Sequence, residues 1–455
     1  MKEFLRKKVL DKEEFLRDVH EAESYVYHHL KQDKDGIFST EVHGASQNNL
    51  YVGNAGILHM YLQLNKIEPC EKYNRIIKEM TRYLYLHLFD GIEIAHREGE
   101  FVDGMAEAFY SGIGGIGLIF NEVYRMTQLP LAKKGAYKVW NYYLEQAIED
   151  EAGCCWSDNA AIFFDGGITL FLIDYLKTFN EDEFRVKELI EKSCDHILKN
   201  AIRHEDGEME IDHLKVDFKR REPNFEFGTA GIGYLFAKTY ELTKNQKYLD
   251  ASQAAAKYIK AIAVKQKKGY LVPYKLGVYD DLFYLGNCHG PVGTAKLFDV
   301  LYHITNDQSY LEDVFDLYEG AASLGAPFQQ SPGFWNTTCI CCGPAGYVSL
   351  FVGLYYETKD ERWKELAHKT GEVLVGSKTR KMNLNEVESY WEIAFDRTKP
   401  NELSAPAGYF TGAAGIAVAL LQIYCMESES IGIEGLIDDP YKKDEFIKKR
   451  NLSKA

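Results

Sequence analysis

The sequence lacks long apolar runs, is poor in proline and carries no excess of positive charge. No stretch of 18 apolar residues occurs, so we do not expect a membrane-spanning helix, which needs about 20. The formal net charge of -15 argues against a nucleic-acid partner, because phosphate binding needs a concentrated basic surface. The first residues, Met1 to Arg6, contain no apolar signal core, and we therefore expect a cytoplasmic protein.

Linker segments are also missing. Only 11 prolines occur among 455 residues, and no Ser/Gly-rich or singly charged segment divides the chain. The hydrophobic content of 46% is ample for one large packed core. We therefore predict a single domain over residues 1–455, with its core at 20–425. The polar tail at 426–455 is expected to form a surface helix and a frayed end.

One short pattern recurs seven times along the chain. Each copy ends in a glycine three residues after its first position, and an apolar run with helical character follows. The copies begin at Gly53, Gly112, Phe164 (in a degraded copy), Gly228, Gly290, Gly343 and Gly412, in steps of 52 to 69 residues. A step of this length holds an apolar helix, which would be buried, and an amphipathic helix, which would lie outside. The repeats therefore predict an all-α toroid of two concentric rings with about seven helices each.

The fifth and sixth copies share a cysteine pattern. The two stretches are Cys288-His289-Gly290-Pro291 and Cys341-Cys342-Gly343-Pro344. Gly-Pro before a small-residue apolar run predicts a helix start, because proline is tolerated at the first helical position. The cysteines would lie just outside two helix N-termini, where unpaired N–H groups favour thiolate. Three thiolates there would form a zinc site with its fourth position open. If Cys339 were a fourth ligand, the site would instead be a closed, structural one.

The remaining cysteines give weaker signals. Cys70, Cys194 and Cys425 lie in helical apolar patterns and are expected in the core. The pair Cys154-Cys155 precedes the third copy, and no further ligands are near it in sequence. We interpret this pair as core cysteine beside an aromatic residue, with a cavity-facing thiol as the alternative.

The seven glycine motifs, with Cys-His-Gly in the fifth and Cys-Cys-Gly in the sixth, resemble the lanthionine synthetase C-like family, the lantibiotic cyclases. The resemblance covers residues 20–425 and implies a double-ring α-toroid with a zinc ion at the mouth of the inner ring. It implies that peptide cysteine thiols are added to dehydroalanine or dehydrobutyrine, which closes thioether rings. The implied zinc ligands are Cys288, Cys341 and Cys342, with Cys342 in place of the family's usual histidine.

The resemblance also implies the partners of the reaction. The chain has no room for a dehydratase or a kinase, and it contains no Gly-x-x-x-x-Gly-Lys-Ser/Thr segment. The implied substrate is therefore a precursor peptide already dehydrated by a separate enzyme. Zinc would lower the pKa of the substrate thiol, and three protein thiolates would make its sulfur more nucleophilic than two cysteines and a histidine would.

The proton donor departs from the family's pattern. The family's usual histidine before the fourth motif is replaced by Phe227, and its usual aspartate before the third by Ala160. His289, next to the first ligand, is a candidate acid or base; it could equally hydrogen-bond a ligand sulfur.

Three carboxylates near the vacated positions are candidates for a relocated acid: Asp158, Asp165 and Glu226. Structural roles are the alternative, with Asp158 as a cap and Asp165 as a turn residue.

Three functions follow from these patterns. The first is a zinc-dependent lanthionine cyclase, and the alternative favoured by Phe227 is a non-catalytic zinc-containing protein that binds thiols or peptides. A carbohydrate enzyme on a related toroid is suggested by 31 tyrosines and many acidic residues, but it needs paired carboxylates, not a thiolate cluster. Two charged excursions, at 204–224 and 379–410, are either recognition loops or solvated connections.

Overall fold

The computed structural model describes residues 10–98, 105–211, 221–383 and 386–444. Seven helices follow the seven glycine motifs and are buried nearly all round: α2 (Asn54–Ile67), α5 (Ile113–Thr127), α7 (Asp165–Thr178), α9 (Thr229–Thr243), α11 (Pro291–Thr305), α13 (Ala345–Thr358) and α15 (Ala413–Glu427). Seven helices with one exposed face alternate with them: α1 (Lys12–His28), α3 (Glu71–Leu86), α6 (Pro130–Gln146), α8 (Glu183–Lys199), α10 (Gln246–Ala261), α12 (Gln308–Ser323) and α14 (Glu361–Ser377). A further helix, α4 (Asp90–Glu98), lies outside this alternation.

The seven buried helices form a closed inner ring. Each packs against the next along the chain, from α2 through α5, α7, α9, α11 and α13 to α15, and α15 packs against α2. Each outer helix packs mainly on one inner helix; α1, the first in the chain, packs on α15, the last. The predicted all-α toroid of two concentric rings is therefore confirmed. Within the described residues, no helix is both long and apolar enough to cross a membrane.

Short antiparallel hairpins lie in the segments that connect the helices. They pair β1 (Leu30–Gln32) with β2 (Ile37–Ser39), β3 (Ile148–Glu149) with β4 (Cys154–Cys155), β5 (Ile202–Arg203) with β6 (Met209–Glu210), β7 (Val264–Lys265) with β8 (Tyr270–Leu271), β9 (Thr379–Asn383) with β10 (Glu386–Tyr390), and β11 (Ile393–Ala394) with β12 (Leu403–Ser404). The register of β3 and β4 sets Ile148 opposite Cys155. This ladder fixes the backbone of the loop that leads into α7.

The glycines of the motif permit close backbone approach at the start of each inner helix. A Cβ on Gly231 would lie 1.9 Å from the carbonyl oxygen of Phe225, and one on Gly415 would lie 1.8 Å from that of Tyr409. Any side chain there would push the preceding loop away from its helix. The second glycine therefore lets each loop fold back onto the helix that follows it.

A belt of backbone hydrogen bonds joins the loops that precede the seven inner helices. We call it the loop belt. Its amide-to-carbonyl bonds run from Tyr51 to Tyr110, Phe109 to Phe163, Phe163 to Glu226, Glu226 to Cys288, Cys288 to Cys341, Cys341 to Phe410 and Phe410 to Tyr51. The N···O distances are 2.9–3.2 Å. The belt closes on itself, so every loop at this end of the ring is held by both of its neighbours.

The chain after α15 does not form the expected surface helix. Residues 428–444 contain no helix, and they run inside the inner ring, where Tyr441 and Asp438 are 3% and 2% exposed. The Tyr441 hydroxyl donates to the carbonyl of Val292 on α11, and the backbone amide of Glu434 donates to Gln63 on α2. The expectation was wrong because apolar residues between the charges of this segment fill the ring's interior. Residues 445–455 of the predicted frayed end lie outside the described part of the chain.

Candidate metal centre

Three cysteine side chains converge at the loop belt. Cys288 lies two residues before the N-cap Gly290 of α11, whose first residue is proline as the sequence predicts. Sγ of Cys342 lies 3.5 Å from Sγ of Cys288 and 3.2 Å from Sγ of Cys341. All three sulfurs lie within 4.8 Å of one another. The structure thus brings the three predicted metal ligands together.

The three thiols interact closely enough to shift one another's pKa. Hydrogen bonds from Cys341 and Cys342 lower the pKa of Cys288 to about 7. The same contacts with Cys288 raise the pKa of the Cys341 and Cys342 thiols. A divalent cation would replace these protons and allow all three groups to ionise, as ligation requires. The donor set and its spacing therefore fit a zinc ion with three protein ligands.

Cys339 does not complete this group. Within the described residues, the metal-ligating cluster contains Cys288, Cys341 and Cys342 without it. Sγ of Cys339 lies 3.2 Å from Oγ1 of Thr337, and burial raises the pKa of its thiol to about 11. The group therefore offers three cysteine ligands, and Cys339 is not one of them.

His289 lies beside the cluster in a fixed orientation. Its Nε2 is 3.1 Å from a carboxylate oxygen of Glu222, whose other oxygen is 2.8 Å from Nζ of Lys275. Burial opposes ionisation of Glu222, but the contacts with His289 and Lys275 outweigh it and lower the pKa of the carboxyl from 4.5 to about 2. The imidazole stacks on the ring of Phe227, with centroids 5.1 Å apart. Its Nδ1 is buried without a hydrogen-bond partner among the described residues.

Phe227 occupies the position of the family's usual histidine, and Glu226 immediately precedes it. The ring of Phe227 stacks on Phe163 on its other side, with centroids 5.0 Å apart. Glu226 is 2% exposed, and its Oε1 has no hydrogen-bond partner in the described part of the chain. Burial, and then the nearby Cys341, raise the pKa of this carboxyl well above its usual range.

The two aspartates named as candidate acids lie elsewhere. Asp165 is the first residue of α7, and its carboxylate accepts hydrogen bonds from the amides of Trp156, Ser157 and Asp158 at 2.9–3.1 Å. Asp158 lies with its Oδ1 2.9 Å from Nε2 of His196 on α8. Asp165 thus holds a loop in place. Neither aspartate lines the cavity that contains the cysteines.

That cavity has a volume of roughly 490 Å³ and lies at the mouth of the inner ring. The residue just before the motif lines it in all seven copies: Val52, Ser111, Phe163, Phe227, His289, Cys342 and Thr411. Residues 393–397, part of the predicted excursion at 379–410, form another side of it, and there Phe395 is 70% exposed. Part of the excursion at 204–224 lies outside the described residues; its Glu222 is the partner of His289.

Two residues of the site were not predicted. The Tyr51 hydroxyl lies 2.8 Å from Sγ of Cys341, and Glu222 orients His289. Tyr51 stands two positions before the first motif, as Cys288 and Cys341 stand before the fifth and sixth. Aligning that position across the repeats would have found it. Glu222 has no such signal, because its contact depends on how the preceding loop folds.

Comparison with known proteins agrees with the architecture. A sequence model described as lanthionine synthetase C-like protein matches residues 44–433. No curated protein gives a significant match. The solved structure of nisin cyclase superposes with a TM-score of 0.58 at 14% identity, over 90% of this chain and 93% of that one.

Two carbohydrate enzymes superpose less well. A sugar epimerase from a ruminal bacterium gives a TM-score of 0.49 at 11% identity, over 93% of this chain and 100% of that one. A D-mannose isomerase gives 0.47 at 13% identity, over 91% and 97%. These structural likenesses concern the fold alone. The sequence match, by contrast, spans most of the chain and includes all seven glycine motifs. It confirms the resemblance seen in the sequence: this chain belongs to the lanthionine synthetase C-like family.

Proposed function

We propose that this chain is a zinc-dependent lanthionine cyclase. It would add cysteine thiols of a dehydrated peptide to dehydroalanine or dehydrobutyrine residues and so close thioether rings. The observation that carries the proposal is the group of three buried cysteines on the wall of a cavity of roughly 490 Å³. Family membership supports the same class of reaction.

The three cysteines have the first role in this proposal. Cys288, Cys341 and Cys342 would hold zinc and leave one position for a substrate sulfur. When bound, zinc would lower the pKa of that substrate thiol. The loop belt holds the backbone of Cys288 and Cys341 in place, and the Tyr51 hydroxyl constrains the sulfur of Cys341. The hydrogen bonds of the loop belt therefore help to position the cysteine ligands.

The addition needs a proton as well as a sulfur. The substrate S–H bond breaks, an S–C bond forms at the β-carbon as the π bond between the α- and β-carbons breaks, and a proton is delivered to the α-carbon. Glu226 and His289 are polar side chains of the cavity wall beside the cysteines, and both can carry a transferable proton. We assign proton delivery to this pair. Asp158 and Asp165 take no part, because they lie outside the cavity.

The cavity also suits a peptide with apolar side chains. Its wall includes Met105, Phe163, Trp335 and Phe395, and burial of such groups favours binding by about 25 cal/mol per Å². We further propose that a separate dehydratase supplies the peptide and that the reaction takes place in the cytoplasm.

A second candidate function is a zinc-containing protein that binds thiols or peptides without turnover. The observation that favours it is Phe227, whose ring fills the space between Phe163 and His289 and cannot transfer a proton. Under this alternative, Phe227→His creates an activity that the natural chain lacks. Under the cyclase proposal, the natural chain is already active.

The test follows thiol consumption in a dehydrated, cysteine-containing peptide by alkylation and mass spectrometry. We expect loss of free thiol above the uncatalysed rate, and the uncatalysed rate alone with Cys288→Ala. Cys70→Ser is the matched control, because Cys70 is the N-cap of α3 and serine is a good residue for that position. It should behave as the unaltered chain does. If the unaltered chain does not accelerate thiol loss with any of several peptides, the result favours the second candidate function, a binding protein without turnover.

A further inference from the structure

A second group of metal-ligating side chains lies in the third repeat. One ligand atom each from Cys155, Asp158 and His196 lies within 4.8 Å of the other two. None of the three lines the cavity with Cys288, Cys341 and Cys342. No ligands were predicted for Cys155 from the sequence, although Asp158 is only three residues away. His196 comes from α8, some forty residues later, and only the fold brings it to the hairpin of β3 and β4.

We propose that Cys155, Asp158 and His196 form a second binding site for a divalent transition-metal ion, with zinc as the matching ion. The set offers one sulfur, one imidazole nitrogen and one carboxylate oxygen, and zinc accepts all three in tetrahedral sites. Calcium and magnesium are poor matches, because they prefer oxygen ligands throughout. Three protein ligands leave one position for water or another small ligand.

The loop that carries two of the ligands is fixed before any ion arrives. Cys155 lies in β4, where its backbone pairs with Ile148 of β3. Asp158 has a φ of 59°, in the left-handed region that aspartate tolerates better than most residues. Its amide donates to the buried Asp165 at 3.0 Å. The loop therefore presents Cys155 and Asp158 toward α8 without help from a metal.

The third ligand has a carboxylate close to each of its ring nitrogens. Nε2 of His196 lies 2.9 Å from Oδ1 of Asp158, and Nδ1 lies 3.3 Å from Oδ2 of Asp150. Asp150 is itself held by the amides of Ala152 and Gly153, at 2.6 and 3.0 Å. Ligation through Nε2 would leave Nδ1 facing Asp150, 3.3 Å from its Oδ2. Metal-bound histidines in proteins commonly have such a carboxylate partner, which fixes the tautomer and the ring.

Charge and access both suit a cation. The carboxylate of Asp158 and a thiolate at Cys155 together carry two negative charges, which a divalent ion neutralises. The side chain of Asp158 is 26% exposed and that of Asp150 is 52% exposed, so an ion can enter from solvent. His196 is 9% exposed, which limits competition from water. Once bound, the ion would tie the loop before α7 to the outer helix α8.

The test uses cobalt(II) and a full-length chain without the first centre, Cys288→Ser/Cys341→Ser/Cys342→Ser. We expect cobalt to bind with a thiolate-to-metal charge-transfer band, since Cys155 supplies a thiolate. Adding Cys155→Ser should abolish the band. Adding Cys154→Ser, which changes the neighbouring buried cysteine outside the group, should leave it. Circular dichroism and thermal unfolding establish that each variant is folded.

The proposal is overturned if the chain without the first centre gives no thiolate-to-cobalt band, or if the band survives Cys155→Ser. Should the triple variant fail to fold, zinc content of the otherwise unaltered chain decides. A zinc equivalent that is lost in His196→Asn supports the site, and a zinc content that is the same in His196→Asn and in the unaltered chain contradicts it. The readouts need no activity, so this site and the cyclase proposal can fail independently.

Discussion

The hydroxyl of Tyr51 lies 2.8 Å from Sγ of Cys341 and so connects the first repeat to the sixth at the mouth of the ring. The two residues hold the same place in their repeats, two positions before the motif. The loop belt links both of them to Phe410, which lies between them in the ring. A group that hydrogen-bonds to a metal ligand orients that ligand and contributes to metal affinity.

Tyr51→Phe should keep zinc stoichiometry but weaken zinc binding, by about tenfold, because Cys341 loses the donor that orients its sulfur. Zinc affinity would be measured by competition with a chromophoric chelator. Tyr110→Phe is the matched control, since Tyr110 stands two positions before the second motif but donates to Asp438 and not to a sulfur. Equal affinities for the two variants would contradict the role given to Tyr51.

Glu226→Gln should slow thiol addition by about 10² or more and leave zinc content unchanged, because an amide keeps the shape of the side chain but cannot deliver a proton. His289→Gln tests the other member of the pair in the same way. Rates would be followed by alkylation and mass spectrometry, with zinc measured on the same samples. If both variants react at the unaltered rate, the proton comes from another group and the assignment to this wall is wrong.

Glu222 predicts an acid-sensitive component of stability. Its pKa is about 2 in the folded protein and 4.5 as the ordinary value, so its ionised form stabilises the fold above about pH 4.5. That contribution, on the order of 3 kcal/mol, is lost as the pH falls from 4.5 toward 2. Denaturant unfolding of zinc-depleted protein between pH 6 and 2 should show a shallower pH dependence in Glu222→Gln. If the free energy of unfolding depends on pH equally in Glu222→Gln and in the unaltered protein, the Glu222 carboxylate is not the cause of the acid sensitivity.

The segment inside the ring should be essential for stability. Asp438 accepts from the Tyr110 hydroxyl at 2.7 Å and lies 3.5 Å from Nζ of Lys296, which is 4% exposed. Asp438→Ala should cost about 3–5 kcal/mol, because it leaves a buried cation without its partner. Urea unfolding measures the loss. Glu312→Ala, on the exposed face of α12, should change stability by less than about 0.5 kcal/mol.

Periodicity was enough to predict the fold. The glycine motifs marked the start of every inner helix, and Gly290-Pro291 marked the start of α11 to the residue. The convergence of Cys288, Cys341 and Cys342 was predicted from their place before two such starts. Residues 428–444 were misjudged because their charges suggest a solvated face, whereas partners such as Tyr110 and Lys296 come from distant helices. That residues 1–455 act as one domain stays a prediction.

Contacts between distant loops could not be predicted. His196 and Cys155 share no motif, and Glu222 reaches His289 only through the fold of its loop. Such pairs depend on three-dimensional loop geometry, which a single sequence does not encode as a local pattern. Glu226 was a candidate only as the neighbour of Phe227. Its place two positions before the fourth motif puts it at the same level of the ring as Cys288 and Cys341, and that is the physical reason for its burial beside the sulfurs.

The most direct test of the account measures zinc and turnover in one preparation. With Cys155 changed to serine to remove the second site, we predict about one zinc per chain and thiol loss above the uncatalysed rate. Cys341→Ala should lose both the bound zinc and the catalysed thiol loss, and adding zinc to the buffer should restore neither. Cys342→His should keep zinc, because it restores the family's usual ligand. Full zinc content in Cys288→Ala, Cys341→Ala and Cys342→Ala alike would contradict the central claim.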